Sequence, residues 1–133
     1  MVLVDANVIL DIATNDPQWF DWSHAQLEPL IDAGEAAISP IIYAELVPAV
    51  ATTAELDTTI VPPGDFLRLP LPYATAIPAA RTFSAYRRTG SAMTSPLPDF
   101  FIGAHAEVEN LALLTRDATR YRTYFPNFRL ICP

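Results

Sequence analysis

Five short, mostly apolar runs are spaced along the chain and have the character of β-strands. The first, residues 1–4, is uninterrupted and β-branched, which is typical of a strand buried on both faces. Further strands are predicted at residues 36–39, 67–69, 111–114 and 128–131, and the one at 67–69 is weak because prolines interrupt the surrounding region. None is long, so several must pair to form one sheet.

Segments with helix-start and helix-stop residues separate these runs. Asp16-Pro17 and Ser39-Pro40 each place an N-cap residue before a first-turn proline, Gly34 and Gly90 follow two of the segments, and Pro29 should bend the longest one. Helices are therefore predicted over residues 6–13, 16–33, 40–46, 73–88, 99–110, and from just after 117 to about 124.

Strands that alternate with helices indicate a parallel sheet covered by helices on both faces. Prolines break residues 60–80 into short pieces, and the proline-rich loop 95–98 leads into the helix that starts at Asp99. The sequence shows no internal repeat and no linker. We therefore predict an α/β fold in a single domain, residues 1–133.

Composition narrows the class of protein further. The 133 residues are 51% hydrophobic and 17% charged, which is too apolar for disorder and suits one globular domain. The single cysteine, Cys132, excludes a disulfide scaffold and favours a reducing compartment. No apolar run approaches the ~20 residues that span a bilayer, so we expect a cytoplasmic protein without a membrane partner.

Charge is distributed unevenly along the chain, whose net charge is −7. Residues 1–66 carry eleven acids and no base, whereas residues 67–133 carry four acids and eight arginines. An acidic chain argues against broad nucleic-acid binding, which usually needs a basic surface. The arginines of the second half leave local contact with phosphate open.

Acidic side chains recur near the carboxyl ends of the predicted strands. Asp5 ends the first strand, and Asp117 lies three residues beyond the strand at 111–114. Asp99 lies in the first turn of its helix, and Glu45 lies about two turns into the helix after the second strand. Because open parallel sheets bind ligands at this edge, the four carboxylates indicate one site.

Electrostatics predicts what such a site contains. Two carboxylates 4 Å apart repel by about 4 kcal/mol at an effective dielectric constant near 20, so four converging acids favour a divalent cation. Oxygen ligands suit Mg²⁺ or Mn²⁺, and Mg²⁺ commonly completes its shell with substrate phosphate. Phosphoryl transfer is the matching chemistry.

Four blocks of the sequence together resemble the signature of PIN-domain ribonucleases, and specifically the VapC-type toxins of toxin–antitoxin pairs. The blocks are Asp5 to Asp11, Glu45, Asp99 to Ala106, and Leu114 to Asp117. Their order and spacing carry the resemblance, which covers essentially the whole chain. The proline-rich middle and the few basic residues depart from the family pattern. These departures concern the path and the identity of the RNA, and not the metal site.

The resemblance implies a three-layer α/β/α sandwich with a central, mostly parallel sheet and endoribonuclease activity that depends on Mg²⁺ or Mn²⁺. It implies metal ligation by Asp5, Glu45, Asp99 and Asp117. Asn7 and Thr115 would make supporting polar contacts. It also implies an RNA substrate, a VapB-type antitoxin as partner and a homodimer.

Other polar residues are interpreted individually. Asp11, six residues after Asp5, is expected to be solvated, and His105 is expected to be structural. Arg116 lies between two candidate site residues, where it suits either a phosphate or a carboxylate. Arg87 and Arg88 end a predicted helix, and together with Arg120 and Arg122 they are candidates for an RNA groove.

The resulting hypothesis is an endoribonuclease in which ions held by the four acids activate water for in-line attack on a phosphodiester, leaving a 3′-hydroxyl and a 5′-phosphate. Two alternatives stay open: a PIN nuclease that is not a toxin, and a PIN domain that acts mainly by binding a protein. A haloacid-dehalogenase-like phosphatase is disfavoured, because Asn7 occupies the place of its second aspartate and the chain has no lysine. A receiver domain is disfavoured by the same missing lysine.

Overall fold

A computed structural model describes residues 1–90 and 97–133 and contains a five-stranded, all-parallel sheet. The strands are β1 (Val2–Val4), β2 (Ala36–Ile38), β3 (Leu67–Arg68), β4 (Ala112–Leu114) and β5 (Leu130–Ile131). Their order across the sheet is β3-β2-β1-β4-β5. The predicted α/β class is confirmed, with five strands near the predicted positions.

Helices connect the strands and cover the sheet. They are α1 (Ala6–Ala13), α2 (Phe20–Asp32), α3 (Pro40–Leu46), α4 (Ala76–Arg88), α5 (Leu97–Val108) and α6 (Thr119–Tyr124). Within the described residues, no helix has the length and apolar character needed to cross a membrane.

Two predicted helix starts are wrong. The Asp16 carboxylate accepts the backbone N–H groups of Gln18 and Trp19, both at 2.9 Å, so it caps an isolated turn and α2 begins only at Phe20. α5 begins at Leu97, two residues before the predicted start. Residues 95 and 96 of the predicted proline-rich loop lie outside the described residues.

The middle of the chain contains short irregular elements that the sequence did not predict. A π-helical turn covers Leu56–Ile60, and a 3₁₀ turn over Tyr73–Thr75 precedes α4. Both residues of β3 are exposed, which agrees with a weak strand at the edge of the sheet. The prolines of this region limit regular structure because each lacks a backbone N–H.

The strand order places the carboxyl end of β1 beside that of β4. Val4 pairs with Leu114, and the backbone N–H of Asp5 donates to the Leu114 carbonyl at 2.9 Å. The chain leaves β1 toward β2 and β3, then returns to the other side of β1 as β4. This reversal opens a crevice beside β1, where doubly wound folds bind ligands.

An aromatic cluster joins α4, α5 and the C-terminal end of α6. Phe100 of α5 has ring centroids within 5.4–6.3 Å of four others, which belong to Phe83, Tyr86, Tyr124 and Phe125. Phe100 is fully buried. Because Asp99 is the preceding residue, this cluster also fixes the position of the Asp99 backbone.

Close packing at Gly103 gives a test of this arrangement. A Cβ atom there would lie 2.4 Å from Cδ2 and Cε2 of the buried Phe125 ring, so we expect Gly103→Ala to lower the free energy of unfolding by about 1–3 kcal/mol. Gly64→Ala is the control, because its Cβ would meet nothing within 4 Å. Urea denaturation measures both variants, and equal stabilities would contradict the described contact.

Candidate active site

A cleft of about 490 Å³ opens at the carboxyl ends of β1 and β4. All four predicted acids line it: Asp5 after β1, Glu45 on α3, Asp99 on α5 and Asp117 before α6. The remaining lining residues are Ala6, Asn7, Leu10, Pro48, Arg116, Arg120 and Tyr121. Elements distant in sequence therefore bring the four carboxylates to one cleft.

Asp5 is held by a small hydrogen-bond network. Its Oδ2 accepts the Thr115 hydroxyl at 2.8 Å and the Asn7 Nδ2 at 3.2 Å. Asn7 Nδ2 also donates to Thr115 Oγ1 at 3.1 Å, and the Asn7 Oδ1 accepts the backbone N–H of Arg116 at 3.3 Å. Asn7 and Thr115 thus lie beside the Asp5 carboxylate and hold its Oδ2.

Thr115 is fully buried, and its hydroxyl uses its complete hydrogen-bonding capacity. Besides donating to Asp5, it accepts from Asn7 and from the backbone N–H of Asp117 at 3.2 Å. A hydroxyl has one donor and two acceptor positions. Its proton is therefore directed to Asp5, and the backbone of Asp117 is tied to the same oxygen.

Burial raises the pKa of the Asp5 carboxyl above its ordinary value, and the Asp117 carboxylate adds to this rise. The Thr115 hydrogen bond acts in the opposite direction, because it stabilises the charged form. Asp5 is 7% exposed. Burial thus makes the charged form of Asp5 less favourable than that of an exposed aspartate, although the Arg116 charge partly offsets this.

Glu45 shows the same effect. Desolvation and the neighbouring Asp5 carboxylate raise the pKa of Glu45 from 4.5 to about 7. Neither Asp5 nor Glu45 forms an ion pair within the described residues. Acids with raised pKa values in a cleft are typical of functional sites.

Asp11 lies beneath the cleft and is not solvated, so that prediction is wrong. Its side chain is 2% exposed and accepts Ser23 Oγ at 2.8 Å and Arg116 Nε at 2.9 and 3.1 Å. The Arg116 guanidinium also lies over the Trp19 ring, 5.7 Å from its centroid. Asp11 therefore balances the charge of Arg116 and holds it at the cleft wall.

Asp99 has a different partner, Arg120 of α6, whose Nη1 contacts Asp99 Oδ2. Each side chain is about one-fifth exposed, at 21% and 22%. Arg120 was predicted only as a candidate for an RNA groove, whereas the structure places it among the acids. Spacing within one segment gave no signal for this contact, because Asp99 and Arg120 lie 21 residues apart in sequence.

Tyr121 also lines the cleft and was not predicted from the sequence. Its side chain is buried, and its hydroxyl has no hydrogen-bond partner within the described residues. Burial raises the pKa of the phenol well above its usual value, and the carboxylates of Asp5 and Glu45 reinforce this shift. The phenol is therefore neutral and forms an uncharged part of the cleft wall.

His105 does not line the cleft. It is fully buried in α5, and neither ring nitrogen has a hydrogen-bond partner within residues 1–90 and 97–133. Burial lowers the pKa of the imidazole, so the side chain is neutral near pH 7. Its environment is that of a core residue and agrees with the structural interpretation.

The donor chemistry of the cleft fits a hard divalent cation. Four carboxylates supply oxygen ligands, and Asp5 and Glu45 carry raised pKa values that a cation would lower. In the described part of the chain, no three His, Cys, Asp or Glu side chains form a ready-made metal site. Oxygen ligands of this kind suit Mg²⁺ or Mn²⁺.

Solved structures with the same fold come from toxin–antitoxin complexes. A chain of VapBC2 from Rickettsia felis, bound to a promoter DNA fragment, superposes with a TM-score of 0.73 at 20% identity, covering 99% of this chain and 98% of that chain. FitAcB from Neisseria gonorrhoeae gives 0.70 at 25% identity, covering 98% and 96%. A toxin–antitoxin complex from Klebsiella pneumoniae gives 0.70 at 20% identity, also covering 98% and 96%.

No curated protein matches the sequence significantly. The family model described as the PIN domain, however, matches residues 2–126, which is nearly the whole chain. The resemblance predicted from the four sequence blocks is confirmed at the level of the family and the fold. The chain belongs to the PIN domain family.

Proposed function

We propose that the protein is an endoribonuclease that depends on Mg²⁺ or Mn²⁺. The observation that carries the proposal is the gathering of four carboxylates, from four separate elements, in one cleft at the carboxyl ends of β1 and β4. Membership of a family whose members are typically nucleases supports the same activity. The raised pKa values of Asp5 and Glu45 support a cation as the missing component.

Each side chain has a defined role in this proposal. Asp5, Glu45, Asp99 and Asp117 would hold the metal, while Asn7 and Thr115 would keep Asp5 oriented through the hydrogen bonds described above. When bound, the metal would activate a water and neutralise charge on the leaving oxygen of a phosphodiester. The fixed Arg116 guanidinium at the cleft wall would contact a neighbouring phosphate.

We further propose that the protein is the toxin of a type II toxin–antitoxin pair. The similar solved structures are toxin–antitoxin complexes, which supports a VapB-type antitoxin as partner. A groove of about 410 Å³, lined by α1, α2 and the segment 59–66, presents the partly buried apolar residues Ile12, Ile31 and Ile60 and carries the acids Glu28 and Asp32. Such a groove suits an amphipathic, basic segment of a partner protein.

The experiment that tests the activity is the substitution Asp5→Asn. It keeps the shape of Asp5 but removes the charge at the centre of the cleft, so we expect cleavage of single-stranded RNA in Mn²⁺ to fall by at least about 100-fold. Asp21→Asn is the control, because Asp21 is exposed on α2 outside the cleft. Wild-type cleavage rates in Asp5→Asn would disprove the proposal.

The role of Thr115 is tested by a matched pair of substitutions. Thr115→Val removes the hydroxyl that donates to Asp5, and we expect Mn²⁺ affinity measured by calorimetry to fall about 10–100-fold. Thr115→Ser retains the hydroxyl and should bind Mn²⁺ nearly as wild type does. Equal affinities in the valine and serine variants would show that this hydrogen bond has no effect on the metal.

The raised pKa values predict a pH dependence of stability without metal. Between pH 4.5 and about 7 the folded protein holds protons on Glu45 that the unfolded chain has released, so the free energy of unfolding should fall as pH rises through this range. Urea denaturation at pH 5 and pH 8 measures the fall. Glu45→Gln should reduce this fall in the free energy of unfolding, and saturating Mn²⁺ should oppose it. The same fall in Glu45→Gln as in wild type would contradict its attribution to Glu45.

A further inference from the structure

The two arginines of the cleft differ in their partners. The Arg116 Nε donates to both oxygens of Asp11, an acid outside the proposed metal ligands, so its charge is already balanced there. Arg120 instead contacts Asp99, which is one of the proposed ligands. Among the described residues the Arg120 guanidinium makes no other hydrogen bond. Because a guanidinium has five N–H donors, most of those of Arg120 remain available.

Arg120 and a divalent cation would bind the same carboxylate. A guanidinium keeps its charge at any physiological pH, so Arg120 places a permanent positive charge beside the Asp99 carboxylate. When a divalent ion binds that carboxylate, repulsion between the two cations disfavours the contact with Arg120. The planar fork of an arginine also matches the oxygens of a phosphate.

We propose that Arg120 is the counter-ion of Asp99 in the metal-free protein and becomes a phosphate-binding residue when metal occupies the cleft. This inference rests on the proposed nuclease function. Arg120 reaches Asp99 from the first half of α6, whereas Asp99 lies in the first turn of α5. The residue therefore opposes metal binding in the free protein and supports substrate binding in the loaded one.

The two effects have opposite signs, which separates this role from a structural one. We expect Arg120→Gln to bind Mn²⁺ about tenfold more tightly than wild type in calorimetry, because a competing cation is removed. At saturating Mn²⁺, the same variant should cleave a single-stranded RNA about 10–100-fold less efficiently, mainly through a higher KM. If Arg120 were only structural, its substitution would lower both the Mn²⁺ affinity and the cleavage efficiency, or neither of them.

Two further variants complete the experiment. Arg120→Lys keeps the charge but loses the fork, so Mn²⁺ affinity should stay near wild type while KM for RNA rises. Arg129→Gln is the matched control, because Arg129 is an exposed arginine directly before β5 and does not line the cleft. Thermal denaturation without metal checks that each variant folds.

Each outcome decides between the two proposals. If wild-type protein binds Mn²⁺ and cleaves RNA but Arg120→Gln binds Mn²⁺ equally or less tightly, only the role of Arg120 is overturned. If Arg120→Gln binds Mn²⁺ more tightly and cleaves RNA as fast as wild type, its phosphate-binding role is overturned. If the wild type neither binds Mn²⁺ nor cleaves RNA, the proposed function fails and the Arg120 proposal fails with it.

Discussion

The buried carboxylate of Asp5 at the centre of a parallel sheet is the constraint on which the rest of the cleft depends. An ionised carboxylate loses its hydration when it is buried and is costly there without partners. Asp5 has hydrogen bonds to Thr115 and Asn7 but no ion pair within the described residues. The pairing of β1 with β4 is what brings the Thr115 hydroxyl to it.

Charge compensation separates two pairs among the acids of this region. Asp11 and Asp99 each contact an arginine, whereas Asp5 and Glu45 have raised pKa values and no arginine partner. The uncompensated pair therefore marks where added positive charge would stabilise the protein most. This division follows from side-chain contacts that lie more than 20 residues apart in sequence.

Much of the fold was predictable because local signals and tertiary packing agree. The apolar run at residues 1–4 and the Ser39-Pro40 start of α3 are examples, and Ser39 Oγ does accept the Ile42 N–H. The start of α2 was not predictable from Asp16-Pro17, because capping signals do not distinguish an isolated turn from a helix. The π-helical turn at 56–60 has no clear sequence signal at all.

For the cleft, sequence position indicated the four acids but not their partners. The carboxyl ends of strands meet at one edge of a parallel sheet, so the convergence follows from topology. The burial of Asp11 and the pairing of Asp99 with Arg120 depend on how α2 and α6 pack, which spacing within one segment does not reveal. Tyr121 was missed for the same reason.

The hydrogen bond between Thr115 and Asp5 also links residues 110 positions apart in the chain. During synthesis Asp5 leaves the ribosome long before Thr115, so the cleft cannot form until β4 and the segment after it have emerged. A nascent chain that holds β1, β2 and β3 still lacks Asp99 and Asp117. Any activity of the cleft is thereby delayed until translation of the domain is nearly complete.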